Sequence, residues 1–99
     1  MEKYAALAQH EVSGALRELQ GWSHSDGRLC KEFTFADFGA AMRFMQACIA
    51  PIERLDHHPT WSNTYATVHV QLTTHDAGDQ VSGADVALAK AIDAVHASL

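Results

Sequence analysis

Apolar residues recur at Tyr4, Ala8, Val12, Ala15, Leu16 and Leu19, mostly three or four positions apart. Glu2, Lys3, Gln9, His10, Arg17 and Glu18 fall largely on the other side. That is the period of one helix face. It predicts a first helix from Tyr4 to Gln20, stopped by Gly21. The period then shortens. Trp22-Ser23-His24-Ser25 and the run Arg28 to Phe35 flank Asp26-Gly27, and Phe33 and Phe35 alternate with Glu32 and Thr34. Asp-Gly between two such runs signals a hairpin, because a type I′ turn needs positive φ at both central positions.

Asp37 can cap a second helix, which carries Phe38, Ala41, Met42, Met45, Ile49 and Ile52 at helical spacing. Pro51 falls inside that pattern and is expected to kink the helix or end its regular part near Ala50. A second hairpin follows, with Trp61-Ser62-Asn63 as one strand and Thr67 to Thr73 as the other. Val68, Val70 and Leu72 alternate with His69, Gln71 and Thr73, so the valine side faces a core. His75 shares the parity of His69 if that strand continues, and Gly78 turns the chain away. Ser82-Gly83-Ala84-Asp85 reads as a capping box. It opens a last helix with Leu88, Ile92, Val95 and Leu99 on one face.

The order helix, strand, strand, helix, strand, strand, helix predicts an α+β fold. Its form is one four-stranded antiparallel sheet with three helices packed on one face. No repeat or linker divides the chain, so a single domain over residues 1–99 is expected. A chain of 99 residues buries roughly 60–70% of its unfolded surface. Seven Lys and Arg against twelve Asp and Glu leave a formal charge of −5, which argues against direct nucleic-acid binding. Cys30 and Cys48 lack the spacing of a disulfide framework or a zinc knuckle and read as reduced cytoplasmic cysteines. Met1 to Leu7 carries neither a basic nor an apolar run, so no signal peptide is expected. No apolar run approaches the ~20 residues of a membrane span.

The candidate chemistry sits in two segments, Asp56-His57-His58-Pro59-Thr60-Trp61 and Thr73-Thr74-His75-Asp76. Histidine alone changes charge near neutral pH without being perturbed. Three readings of His57, His58 and His75 stand open. As metal ligands they are poorly arranged, since neighbouring His57 and His58 point in different directions and a catalytic zinc needs a facing set. As acid–base groups they can both give and take protons. As structural residues, His57 and His58 cap a helix end and His75 ends a strand. No nucleophile motif accompanies them, because Ser62 lacks an elbow and neither cysteine is near a histidine in sequence.

Asp56-His57-His58-Pro59-x-Trp61, then Tyr65, then Val68-x-Val70-x-Leu72-x-Thr74-His75, then Val81-Ser82-x-x-Asp85 with Ala87 to Asp93, resemble the pterin-4a-carbinolamine dehydratase family. Gly21-Trp22 and Phe33-x-Phe35-x-Asp37-Phe38 are similar too, so the resemblance runs from about Leu7 to Val95. The loop Ala77 to Gln80 departs from it. The resemblance implies the same fold and a hydro-lyase reaction. A 4a-hydroxytetrahydrobiopterin (the 4a-carbinolamine) loses water to give the quinonoid dihydropterin, in tetrahydrobiopterin regeneration. It implies no metal and no resident cofactor, since the pterin is the substrate. His57, His58 and His75 carry over as the catalytic set, with His58 and His75 handling protons and His57 orienting the substrate.

By the same resemblance Pro59, Thr74 and Asp76 line the pterin pocket. Trp61 is either a pocket wall or a core anchor. Glu53 and Asp85 are candidate partners behind the histidines, Asp85 at least as a cap. A homodimer or homotetramer without membrane or nucleic-acid partners is implied. The rival class is a non-catalytic module on the same fold, either a dimerisation cofactor of a transcription factor or an assembly factor.

Overall fold

The computed structural model describes residues 4–99. Glu2 and Lys3, which the periodicity sets on the polar side of the first helix, lie outside them. That helix is shorter than its apolar spacing predicts: α1 runs Gln9–Leu16. Before it the chain is tied to a distant segment. Ala6 bridges Ser82, and the Leu7 N–H donates to the Val81 carbonyl at 2.8 Å. Those partners compete with the helix for the backbone groups of its would-be first turns. After Leu16 the amides of Arg17, Glu18 and Leu19 bond three residues back, at 3.3, 3.0 and 3.2 Å. The turns therefore tighten before Gly21, at φ 84°, and bring Leu19 and Trp22 into the core.

The first hairpin forms as expected, with β1 at Ser23–Ser25 and β2 at Arg28–Thr34. Asp26 and Gly27 have φ of 50° and 74°, the signs a type I′ turn needs. A Cβ at Gly27 would overlap the Asp79 carbonyl oxygen, so only glycine lets this turn pack against the loop after β4. The second hairpin has β3 at Thr60–Thr64 and β4 at Thr67–Leu72. The sheet order is β1-β2-β4-β3 with every pair antiparallel. Register sets Leu29 opposite Leu72, Phe33 opposite Val68 and Trp61 opposite Val70. These face the helices, while the Glu32–His69 pair lies on the open face.

By parity Lys31 also points inward. Its stem runs to the sheet margin, where Nζ bonds Asp93 and the Gln20 carbonyl, both at 2.9 Å.

The second helix, α2, runs Phe38–Leu55 with the Asp37 carboxylate accepting from the Ala40 N–H at 2.8 Å. Pro51 lies inside it and does not end it. Proline removes one backbone donor, yet Pro51 and Ile52 are both buried. The apolar stripe therefore continues past it, and packing outweighs one missing hydrogen bond. With α3 (Gly83–Ser98), α2 covers one sheet face around Phe44, Leu88 and Ile92, each 0% exposed. Each such side chain contributes about 1.5–3 kcal/mol by burial. Cys48 lies in this layer, and burial pushes its thiol up to about 11, which leaves it inert.

Two chain reversals set the site. Asp56 closes α2 in the left-handed region (φ 50°, ψ 46°), its N–H donating to the Ile52 and Glu53 carbonyls. Aspartate is among the few residues that visit this region readily. β4 stops at Leu72, one residue earlier than expected, and His75–Ala77 forms a 3₁₀ turn closed by Gly78 at φ 74°. His75 therefore does not continue the strand or share the face of His69.

Candidate active site

The end of α2 and the 3₁₀ turn after β4 meet at a cleft of about 270 Å³. Its lining is Tyr4, Asp56, His57, His58, Thr73, Thr74, His75 and Asp76. Both histidine segments thus converge although seventeen positions separate His58 from His75.

The three imidazoles have different environments. His57 is only 9% exposed, and its Nε2 lies 2.6 Å from Asp85 Oδ1. Asp85 is fully buried at the start of α3. Its Oδ2 accepts from Thr74 Oγ1 at 2.7 Å and from the Ser82 N–H at 2.8 Å. Ser82 Oγ lies 2.6 Å from Thr74 Oγ1 and accepts from the Ala84 N–H. One hydrogen arrangement satisfies every member. Ser82 donates to Thr74, Thr74 to Asp85, and the Nε2–H of His57 to the other carboxylate oxygen. Asp85 then acts only as an acceptor, and in the neutral His57 ring this arrangement makes Nδ1 the acceptor nitrogen.

His58 faces outward, half exposed, with Nε2 at 2.9 Å from Glu53 Oε1. His75 is more open still, its side chain 91% exposed, with Nδ1 at 3.1 Å from Asp79 Oδ1. The Asp79 hydrogen bond and charge, then the charge of Asp76, raise the His75 imidazole above the ordinary histidine value of 6.5. Whatever this pair adds to stability is in place below the unfolded-state value and is lost as pH rises through the folded-state value. In a proton NMR titration the His75 ring should therefore hold its proton to higher pH than a free histidine. Asp79→Asn should bring its midpoint down, and an unchanged midpoint would show that Asp79 does not hold the ring in solution.

The expected residues distribute unevenly. Thr74 lies in the cleft wall with its hydroxyl committed to Asp85 and Ser82. Asp76 lines the cleft beside His75. Pro59 and Trp61 do not line it. Trp61 is half-buried against the core, across from Val70. Glu53 partners His58, not His57 one turn further on. Asp85 is a cap as expected, yet it also holds His57. Two residues escaped the sequence reading. Asp79 lies four positions after His75, a spacing that signals contact only within a helical turn. Tyr4 falls, by its spacing, on the core stripe of a helix.

Among the described residues no three His, Cys, Asp or Glu side chains converge as a metal-ligand set. The class of protein is thus a small α+β scaffold with a carboxylate-braced imidazole cleft at one end of its sheet. Residues 5–95 match the model of the pterin 4 alpha carbinolamine dehydratase family, and the chain belongs to that family.

A Bradyrhizobium sp. strain BTAi1 protein, provisionally named pterin-4-alpha-carbinolamine dehydratase, is 52% identical over 95 residues. The alignment covers 94% of this chain and 95% of that one. A Rhodopseudomonas palustris strain BisB18 protein with the same provisional name is 46% identical over 95 residues, covering 94% and 93%. The fold is similar to a crystal structure described as a transcriptional coactivator/pterin dehydratase from Brucella melitensis. Its TM-score is 0.86 at 37% identity, covering 91% of this chain and 97% of that one.

Proposed function

We propose that this protein is a hydro-lyase that dehydrates a 4a-hydroxytetrahydropterin to the quinonoid dihydropterin by imidazole acid–base catalysis. The observation that carries the reading is three imidazoles around one cleft, each hydrogen-bonded to its own carboxylate. Family membership and the names of its relatives support the same reaction. In the reaction the N5–H proton leaves to a base and the N5 lone pair forms the C4a=N5 bond. The C4a–O bond breaks as that double bond forms, and the departing hydroxyl takes a proton and leaves as water. One donor and one acceptor balance the step, and no resident cofactor enters it.

His75 is the better donor, because Asp79 and Asp76 favour its protonated form. His58 is the acceptor, with Glu53 stabilising the imidazolium that results. His57, locked by Asp85, orients the substrate rather than exchanging protons. A homodimer or homotetramer and a cytoplasmic setting belong to the same proposal. Phe38 and Ile49, which α2 leaves about half exposed, offer apolar surface for self-association. A module that only binds a protein partner gives no reason to brace three imidazoles around a cleft. The test is stopped-flow dehydration of the carbinolamine, read against its spontaneous rate. Acceleration proportional to protein concentration is expected, and a rate equal to the spontaneous one would remove the proposal.

A further inference from the structure

Tyr4 lies in the cleft lining but just outside the family match, which begins at residue 5. Its ring centroid is 6.1 Å from that of His57, with the planes inclined at 42°. Its hydroxyl reaches toward the Asp56 carbonyl at 3.5 Å, a long and weak contact. The ring thus spans from the N-terminal segment over His57 to the end of α2.

The segment that carries it is fixed close by. Two residues on, Ala6 bridges Ser82, and Leu7 bonds the Val81 carbonyl at 2.8 Å. Ser82 is fully buried, caps α3 and joins the hydrogen-bond network that holds His57. The position of Tyr4 is therefore set by the same turn that sets Asp85.

The rest of the lining is histidine, threonine and aspartate. Those groups fix orientation and move protons, but they offer little apolar area to a flat heteroaromatic ring. Binding clefts for such ligands usually combine a few polar groups with an aromatic surface.

Resting on the pterin reading above, we infer that Tyr4 is a wall of the substrate cleft. Its phenol ring gives the bicyclic pterin an aromatic surface and shields His57 from water. The ring is the functional part.

The experiment compares wild type, Tyr4→Ala and Tyr4→Phe, with folding checked by circular dichroism. Two readouts are taken: steady-state dehydration, and equilibrium binding of a 7,8-dihydropterin, which lacks the 4a-hydroxyl and cannot react. Losing one aromatic contact corresponds to about a threefold to tenfold rise in KM and Kd for Tyr4→Ala. Its kcat stays within about twofold on the same reasoning, and Tyr4→Phe recovers most of the affinity. A Tyr4→Ala variant with wild-type KM and Kd overturns the inference, and so does a loss confined to kcat. If the wild type binds the dihydropterin through Tyr4 but does not accelerate dehydration, the reaction assigned above falls and the wall stands. If the wild type neither binds nor reacts, both fall.

Discussion

His75→Ala and His58→Ala should each lose about 10²-fold or more of the catalysed dehydration rate, the contribution of one well-placed proton-transfer group. Both side chains are exposed, and each is hydrogen-bonded to one surface carboxylate. Substitutions of that kind usually change stability by no more than about 0.5 kcal/mol. Circular dichroism and the melting temperature should therefore stay near wild type while the rate falls. The two losses should not add in a double variant. A donor without its acceptor already fails to complete the elimination, and groups that act as a unit are non-additive.

The spontaneous reaction sets the floor that all three variants approach. His69→Ala is the control, since His69 lies on the open sheet face paired with Glu32 at 3.1 Å. It should keep the wild-type rate. Folded His58→Ala and His75→Ala proteins that also kept the wild-type rate would assign the chemistry elsewhere.

What the sequence made legible was whatever depends on near neighbours in the chain. The alternation of Val68, Val70 and Leu72 with His69 and Gln71 identified β4 and its buried face. Asp26-Gly27 identified the first hairpin, and Ser82 with Asp85 identified the start of α3. Features decided by distant partners were not legible. The Tyr4–Ala8 segment has helical spacing, but its backbone bonds to Val81 and bridges Ser82 in the turn before α3. Pro51 is a local stop signal that burial of the surrounding stripe overrides.

His75 keeps strand parity with His69 on paper, yet the chain turns into a 3₁₀ loop beside it. The site followed the same division. The histidines were visible as a pattern and as a family resemblance. Their carboxylate partners were only partly so, because the Asp85–His57 bond joins residues 28 positions apart.

That bond carries the last prediction. Asp85→Ala leaves the His57 Nε2–H, the Thr74 hydroxyl and the Ser82 N–H without their common acceptor, all in a buried setting. Each orphaned group costs about 1–3 kcal/mol, and breaking a buried charged network by removing one partner typically costs 3–5 kcal/mol. A domain of this size has about 5–15 kcal/mol in total. The melting temperature should thus fall by more than about 10 °C, and activity alone could not separate misfolding from mispositioning.

Asp85→Asn separates them, because it keeps the shape. Its carbonyl oxygen can serve the two donors now on Oδ2, Thr74 and Ser82. Its amide then faces His57 Nε2 as a donor and forces the imidazole into the Nδ1–H form. The acceptor nitrogen moves to the opposite side of the ring. This variant should lose only about 1–2 kcal/mol, yet the dehydration rate should fall with the tautomer. Nitrogen-15 shifts of the His57 ring read the change directly. An Asp85→Asn protein with the wild-type tautomer and a lowered rate would mean that Asp85 acts through its charge. A switched tautomer with an unchanged rate would release His57 from any orienting role.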